Sequence, residues 1–243
     1  MPYERRTYRG RATPDGLVAF GVKVGETDLQ IAAERDLSER ARVLATEARR
    51  ELESYRRRDP EFFTTLGAHD VPADAPPIAR AMAGAGRLAG TGPMAAVAGA
   101  IAERVGRGLL SDSREVVVEN GGDIFMVSYR TRRVAIFAGE SPLSMKVALA
   151  IHPEQTPLGI ATSSGTVGPS KSLGRADAAV VMAPGTALAD AVATALGNRV
   201  SEREDMEDAL EWAVSVDGVR GALVIIGRHL GAKGKVRLAE GEA

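Results

Sequence analysis

The chain contains no cysteine. That absence excludes disulfides, Cys-ligated zinc, iron–sulfur clusters and a thiol nucleophile. Histidine is scarce, with only His69, His152 and His229, too scattered in sequence for a His-rich metal site. An excess of one charge is lacking as well. Lys and Arg number 31 against 32 Asp and Glu, for a net charge of -1, unlike a strongly basic nucleic-acid binder or an acidic tail protein. Long apolar runs are missing. The most apolar stretch, Met94 to Ala102, falls well short of the roughly 18 residues that argue a transmembrane helix. The opening MPYERRTYRGRATPDG lacks the apolar run of about 7–15 residues that a secretory signal needs. The expectation is therefore no nucleic-acid partner, no membrane and a cytoplasmic location.

What is present is ordinary for a folded protein: 243 residues, 44% hydrophobic and 26% charged. A chain of this length buries roughly 70–75% of its unfolded surface. No segment has the composition of a linker, so one domain over residues 1–243 is expected. Leu17 to Val24 and Asp28 to Ala32 read as a hairpin turning at Gly25. A long helix follows, with Asp36 and Glu39 spaced as a capping box. Its apolar stripe is Leu37, Ala41, Leu44, Ala48, Leu52 and Tyr55, and Asp59-Pro60 ends it. Residues 67–77 read as loop, Ile78 to Ala83 as a short helix, Gly84 to Pro93 as a glycine-rich hinge, and Met94 to Leu109 as an Ala-rich helix.

The second half changes to strand patterning. Glu115 to Glu119, Asp123 to Tyr129, Arg133 to Ala138 and Lys146 to His152 predict a β-meander, with a further strand over Ile160 to Ser163. Ala178 to Met182 reads as a buried strand. Ala187 to Leu196 and Met206 to Val214 read as helices, and Ala222 to Ile226 and Lys235 to Leu238 as closing strands. Helices set among runs of antiparallel strands predict an α+β fold. His152 beside Pro153, and His229 in an expected turn after Gly227, are read as non-catalytic.

Four segments are richer in Gly, Ser, Thr and Asp than packing requires. Gly84 to Met94, including Gly92, is a glycine-rich loop entering a helix N-terminus, a place where backbone N–H groups can cradle phosphate. It lacks Gly-Lys-Ser/Thr, so it is no Walker loop, and a plain hinge is the alternative. Asn120, Gly121, Gly122 and Asp123 form either a hairpin turn or a place where bare backbone meets a ligand. Thr162, Ser163, Ser164, Gly165 and Thr166, with Lys171 and Arg175 beyond, offer hydroxyls, amides and cations suited to a pyrophosphate, or else make a surface loop. Asp190 and Thr194 are four apart on a helix, so they share a face. Their hard oxygens suit Mg²⁺; an Asp held by its own helix dipole is the competing reading.

ENGGDI, TSSGT and ADAVATAL, in this order and spacing, resemble the ApbE family of flavin transferases. GTGPMAAVAGAIAE (Gly90 to Glu103), SSGTVG and GRADAAVV (Gly174 to Val181) resemble its branch of unknown function. The resemblance spans roughly residues 10 to 230. It implies the ApbE-like version of the T-fold, with a mainly antiparallel sheet and helices packed on one face. It also implies FAD or another flavin nucleotide as ligand, Mg²⁺ held by Asp190 and Thr194, and flavin near Gly121, Gly122 and Asp123. Transfer of FMN to a hydroxyl of a target flavoprotein would follow, with Asp123 the candidate base and Lys171 or Arg175 offsetting pyrophosphate charge. One departure stands out. Typical members carry H-x-x-D-P-x-T-G after the T-S-G segment, whereas Gly168 to Arg175 here reads GPSKSLGR. A non-catalytic flavin or nucleotide binder, or another activity on the same scaffold, are the alternatives.

Overall fold

The computed structural model describes residues 15–165 and 174–241. Val18–Val24 (β1) and Thr27–Ala33 (β2) form the expected hairpin, turning at Gly25 with φ 58°. Ser38–Arg58 (α1) follows, burying Ala41, Leu44, Ala45, Ala48, Leu52 and Tyr55. That is the predicted stripe apart from Leu37, with Ala45 added. The predicted capping box is not formed. Leu37 holds the cap position, and the Asp36 carboxylate instead accepts the Ser38 N–H at 2.8 Å.

The glycine-rich hinge is a second correction. Pro77–Ala89 is one continuous helix (α2) that runs through Gly84 and Gly86 and stops at Gly90 in the left-handed conformation, φ 70°. Glycine costs a helix interior about 1 kcal/mol against alanine. At Gly86 tertiary contact explains its presence, because a Cβ there would lie 2.7 Å from the Thr91 carbonyl oxygen. At Gly84 nothing lies within 4 Å of such a Cβ, and nothing in the structure explains the glycine. The next helix begins with a 3-10 turn, Pro93–Ala96, before Val97–Leu109 (α3).

The predicted meander is divided between two sheets. Val116–Asn120 (β3) and Asp123–Val127 (β4) join a large sheet. Arg132–Ala135 (β5) and Val147–Ile151 (β6) join a small one. Leu158–Ser163 (β7), Ala178–Ala183 (β8), Gly221–Ile226 (β9) and His229–Gly234 (β10) complete the large sheet, and Leu238–Glu240 (β11) completes the small one. The order is β1-β2-β3-β4-β7-β8-β9-β10 in one and β11-β6-β5 in the other, and every pairing described is antiparallel. His229 therefore opens β10 rather than sitting in a turn, and β10 is a strand the sequence reading missed. Thr186–Asn198 (α4) and Met206–Ser215 (α5) lie between β8 and β9.

The central strands of the large sheet are apolar on both faces, with alternate residues serving alternate layers. In β8, Ala179, Val181 and Ala183 belong to the core shared with the helices, while Ala178, Val180 and Met182 belong to the core shared with the small sheet. The helices thus pack on one face, as expected, and β5, β6 and β11 cover the other. Arg132 anchors the crossover to the small sheet. It is 7% exposed and bonds the Glu115 carboxylate at 2.9 Å and the Ser128 hydroxyl at 2.9 Å.

Small residues let α3 sit deep. A Cβ on Gly106 would lie 2.1 Å from the Phe125 ring, and one on Gly99 would lie 2.4 Å from the Thr186 carbonyl oxygen. The obstacle at Gly99 is backbone, which cannot rotate away. Gly99→Ala is expected to lower stability by about 1–3 kcal/mol through overpacking, and Gly84→Ala to raise it by about 0.5–1 kcal/mol. Urea unfolding of the two variants beside the parent checks both signs. A pH effect is expected at Glu115. Burial works to raise its pKa, but hydrogen bonds from Ser128 and Arg132 outweigh this and hold it below 4.5. The folded protein therefore keeps Glu115 ionised where the unfolded chain would protonate it. Its stabilising contribution is present above that pH and lost as pH falls through the lowered value. Glu115→Gln should cost stability at pH 7, and the difference should shrink in acid, as melts across the pH range would show.

Candidate functional site

The β3–β4 turn is tight. Asn120 pairs with Asp123, and Gly121 and Gly122 take φ 73° and 105°, values that favour glycine. The Glu119 carboxylate accepts the Gly122 N–H at 2.8 Å, fixing the turn. Gly122 faces the end of β7, since a Cβ on it would lie 3.6 Å from the Thr162 carbonyl oxygen. The turn and the start of the Thr162–Gly165 segment, 40 residues apart in sequence, are thus neighbours.

Asn120 links this turn to a helix end. It is 8% exposed, and its amide donates to the Ala98 carbonyl at 3.0 Å. Ala98 and Gly99 lie in the first turn of α3, where backbone N–H groups have no partner within the helix. Asp190 supplies it from α4. Its carboxylate accepts the Gly99 N–H at 2.9 Å and also bonds the Ala98 N–H. Asn120, the α3 N-terminus and Asp190 therefore form one connected polar cluster. The dipole reading of Asp190 is replaced by a related one: this carboxylate faces the N-terminus of the neighbouring helix, not that of its own.

Burial pushes the Asp190 pKa up to about 7, against the lowering effect of the Gly99 and Ala98 N–H groups. The two hydrogen bonds do not offset the desolvation of the charge. Among the described residues Asp190 has no salt-bridge partner, and no group of three or more His, Asp or Glu is placed to hold a metal ion. A desolvated, half-buried carboxylate with no cation partner among the described residues fits a divalent ion that would supply the missing charge. Thr194, half-buried one turn further along α4, is the second hard oxygen on that face.

The remaining candidates are distributed around this cluster in different ways. Asp123 is 7% exposed at the first position of β4. Thr162 and Ser163 pair with Val180 and Ala179, which fixes them at the end of β7. Ser163 lies against the far end of α4, its hydroxyl 3.5 Å from where a Cβ on Gly197 would sit. Ser164 is half-buried. The Gly165 N–H donates to the Ala176 carbonyl at 2.9 Å. Arg175 is exposed, its N–H bonded to the Val200 carbonyl at 2.8 Å. Thr166 and Lys171 lie outside the described residues. Gly92 is buried against a different segment; a Cβ on it would lie 2.0 Å from the Thr65 carbonyl oxygen. Its role is a close backbone approach to Thr65 and Leu66.

Sequence reasoning missed Glu103. Its carboxylate accepts the Thr186 N–H at 2.6 Å, at the start of the helix that carries Asp190. The available signal was an acidic residue on an otherwise small-residue helix. His152 lies just after β6, its N–H donating to the Gln155 side chain at 2.8 Å. A groove of about 430 Å³ between α1 and Pro76 contains none of the candidate residues.

Comparison with known proteins places this geometry in a family. The family model described as AbpE bacteria matches residues 10–238. A UPF0280 protein of Methanosarcina acetivorans is 41% identical over 87% of this chain and 84% of its own length. One from Methanocella arvoryzae is 43% identical over 77% of each. Among solved structures, a mutant of the flavin transferase ApbE from Vibrio cholerae superposes with a TM-score of 0.55 at 16% identity, covering 89% of this chain and 96% of that one. The flavinyl transferase ApbE of Pseudomonas stutzeri, in its apo form, gives 0.52 at 15% identity, covering 90% and 95%. At such identities the likeness speaks for the fold alone. With a family model spanning nearly its whole length and relatives this similar, the chain belongs to the bacterial AbpE family, and its fold is that of the ApbE proteins.

Proposed function

We propose that this chain binds a flavin nucleotide together with Mg²⁺ where the β3–β4 turn, the end of β7 and α4 meet, and that FAD is the ligand from which FMN is transferred to a protein hydroxyl. The carrying observation is the polar cluster itself. Asn120, the first turn of α3 and the half-buried Asp190 carboxylate, which has no cation partner among the described residues, are joined by hydrogen bonds, next to a two-glycine turn that faces Thr162. The solved ApbE neighbours are flavin transferases, which supports the flavin half of this reading.

In this reading Asp190 and Thr194 hold the ion. Bound Mg²⁺ supplies charge neutralisation at a pyrophosphate, commonly with one or two protein oxygens and the rest from phosphate and water. Gly121 and Gly122 let the ligand approach bare backbone. Thr162, Ser163 and Ser164 offer hydroxyl groups beside Gly165, whose own N–H is bonded to the Ala176 carbonyl, and Arg175 adds positive charge. The transfer is a phosphoryl-type substitution. The acceptor hydroxyl oxygen bonds to the FMN-side phosphorus of FAD, the bond to the bridging oxygen breaks, and AMP leaves. The hydroxyl proton must pass to a base, and Asp123 is the residue assigned to it.

The replacement of H-x-x-D-P-x-T-G by GPSKSLGR over residues 168–175 favours one second reading, a binder that holds flavin without transferring it. Release of AMP from FAD in the presence of an acceptor protein separates the two.

Calorimetric titration of FAD with and without Mg²⁺ tests the site. The parent chain is expected to bind FAD about tenfold or more tightly with Mg²⁺ present. Asp190→Asn keeps an oxygen to accept the Gly99 N–H, so it should fold and should lose most of that metal dependence. Equal dependence in both proteins would remove Asp190 from the metal site, and no FAD binding by the parent under either condition would end the flavin reading.

A further inference from the structure

α4 has no cap of its own. The residue before it is Gly185, which has no side chain to accept the free N–H groups of the first turn. Thr186, the first residue of the helix, is fully buried, and its hydroxyl has no hydrogen-bond partner among the described residues. Its N–H goes to Glu103, five residues along α3 from Ala98, at 2.6 Å. The other Glu103 oxygen accepts from Arg107 at 2.8 Å. Arg107 in turn lies over the Phe125 ring of β4, 5.4 Å from its centroid. The Glu103 side chain is 19% exposed and held on both oxygens.

The two helices meet in an antiparallel register. Glu103 faces residue 186 and Gly99 faces Asp190, with Gly99 so close that a Cβ would strike both the Thr186 carbonyl and the Asp190 Cβ. The Gly99 contact sets how near the helices come. It does not set how far α4 slides along α3, because glycine has no side chain to interlock. A charge-assisted bond at one end of α4 does.

We infer that Glu103 is a positioning residue: by holding the Thr186 N–H it sets the place of α4 along α3, and so keeps the Asp190 carboxylate on the Ala98 and Gly99 N–H groups. The consequence for Mg²⁺ rests on the site reading proposed above, whereas the consequence for Gly99 does not. The chain of contacts runs from Phe125 in the sheet through Arg107 and Glu103 to Thr186, and then along α4 to Asp190.

Residue-resolved amide exchange of the full chain, without metal, is the direct test. Glu103→Ala should speed exchange at Thr186 and also, by about tenfold or more, at Gly99, while Ala179 and Val181 of β8 stay as in the parent. Glu103→Gln keeps an oxygen for Thr186 and should leave Gly99 protected. Glu103→Asp keeps the charge but shortens the reach by one methylene. It should expose Gly99, which secures the test if the Ala variant does not fold. Acceleration confined to Thr186 in the Ala or Asp variant would overturn the inference, leaving Glu103 a local cap. Titration of Mn²⁺ with FAD, followed by electron paramagnetic resonance, is the second arm. Glu103→Ala should weaken Mn²⁺ binding about tenfold, and Glu103→Gln should restore it. Unchanged Mn²⁺ affinity in Glu103→Ala with Gly99 exposed would break the link to the metal. A parent that takes no Mn²⁺ would defeat the metal reading, while the exchange result still decides the positioning.

Discussion

Each of α3 and α4 has its N-terminus held by a carboxylate from the other. Asp190 of α4 accepts the Gly99 N–H of α3, and Glu103 of α3 accepts the Thr186 N–H of α4. Helix N-termini carry free donors and partial positive charge, so each carboxylate answers an electrostatic need that its partner helix leaves open. Both helix starts lack a side-chain cap of their own. The arrangement is possible only because Gly99 allows the two backbones to touch. A bulkier residue there would part the helices, and both bonds would stretch together.

The sheet beneath is what makes this crossing rigid. It is covered by helices on one face and by β5, β6 and β11 on the other, so its central strands are apolar on both sides. Gly106 seats α3 on Phe125 of β4, and Gly159 of β7 lies against the backbone at the start of α4. Asn120, at the end of β3, then reaches the first turn of α3. The polar cluster is therefore fixed from three elements whose positions are set by apolar packing, with the hydrogen bonds choosing among the close registers that packing allows.

The cluster is also out of electrostatic balance. Asp190 is desolvated, and hydrogen bonds from two backbone amides do not hold its pKa at the ordinary value. Glu115 shows the contrasting case in the same protein. It too is largely buried, yet it meets a guanidinium and a hydroxyl, and its pKa falls. One carboxylate has a built-in cation and ties two sheets together. The other has none among the described residues, and it stands beside a turn of two glycines.

Local patterning determined much of this protein. The α1 stripe, the β1–β2 hairpin, the buried β8 strand and the helix bearing Asp190 and Thr194 follow from periodicity that does not depend on distant contacts. The two-glycine turn after Asn120 was equally legible, because φ above zero is a local demand. Tertiary structure decided the rest. Gly84 to Ala89 became helix because packing outweighed the modest helix penalty of glycine, and Gly92 was claimed by the Thr65 backbone. The meander split into two sheets because strand patterning tells which residues alternate but not which edge they pair with. β10, with three glycines or alanines and no strong alternation, was drawn into the sheet by pairing with β9. Above all, the meeting of Asn120, Gly99, Asp190 and Glu103 was invisible in sequence. Hydrogen bonds between residues 22 to 91 positions apart leave no local periodicity, and only the packing of two helices against the end of β3 brings them within reach.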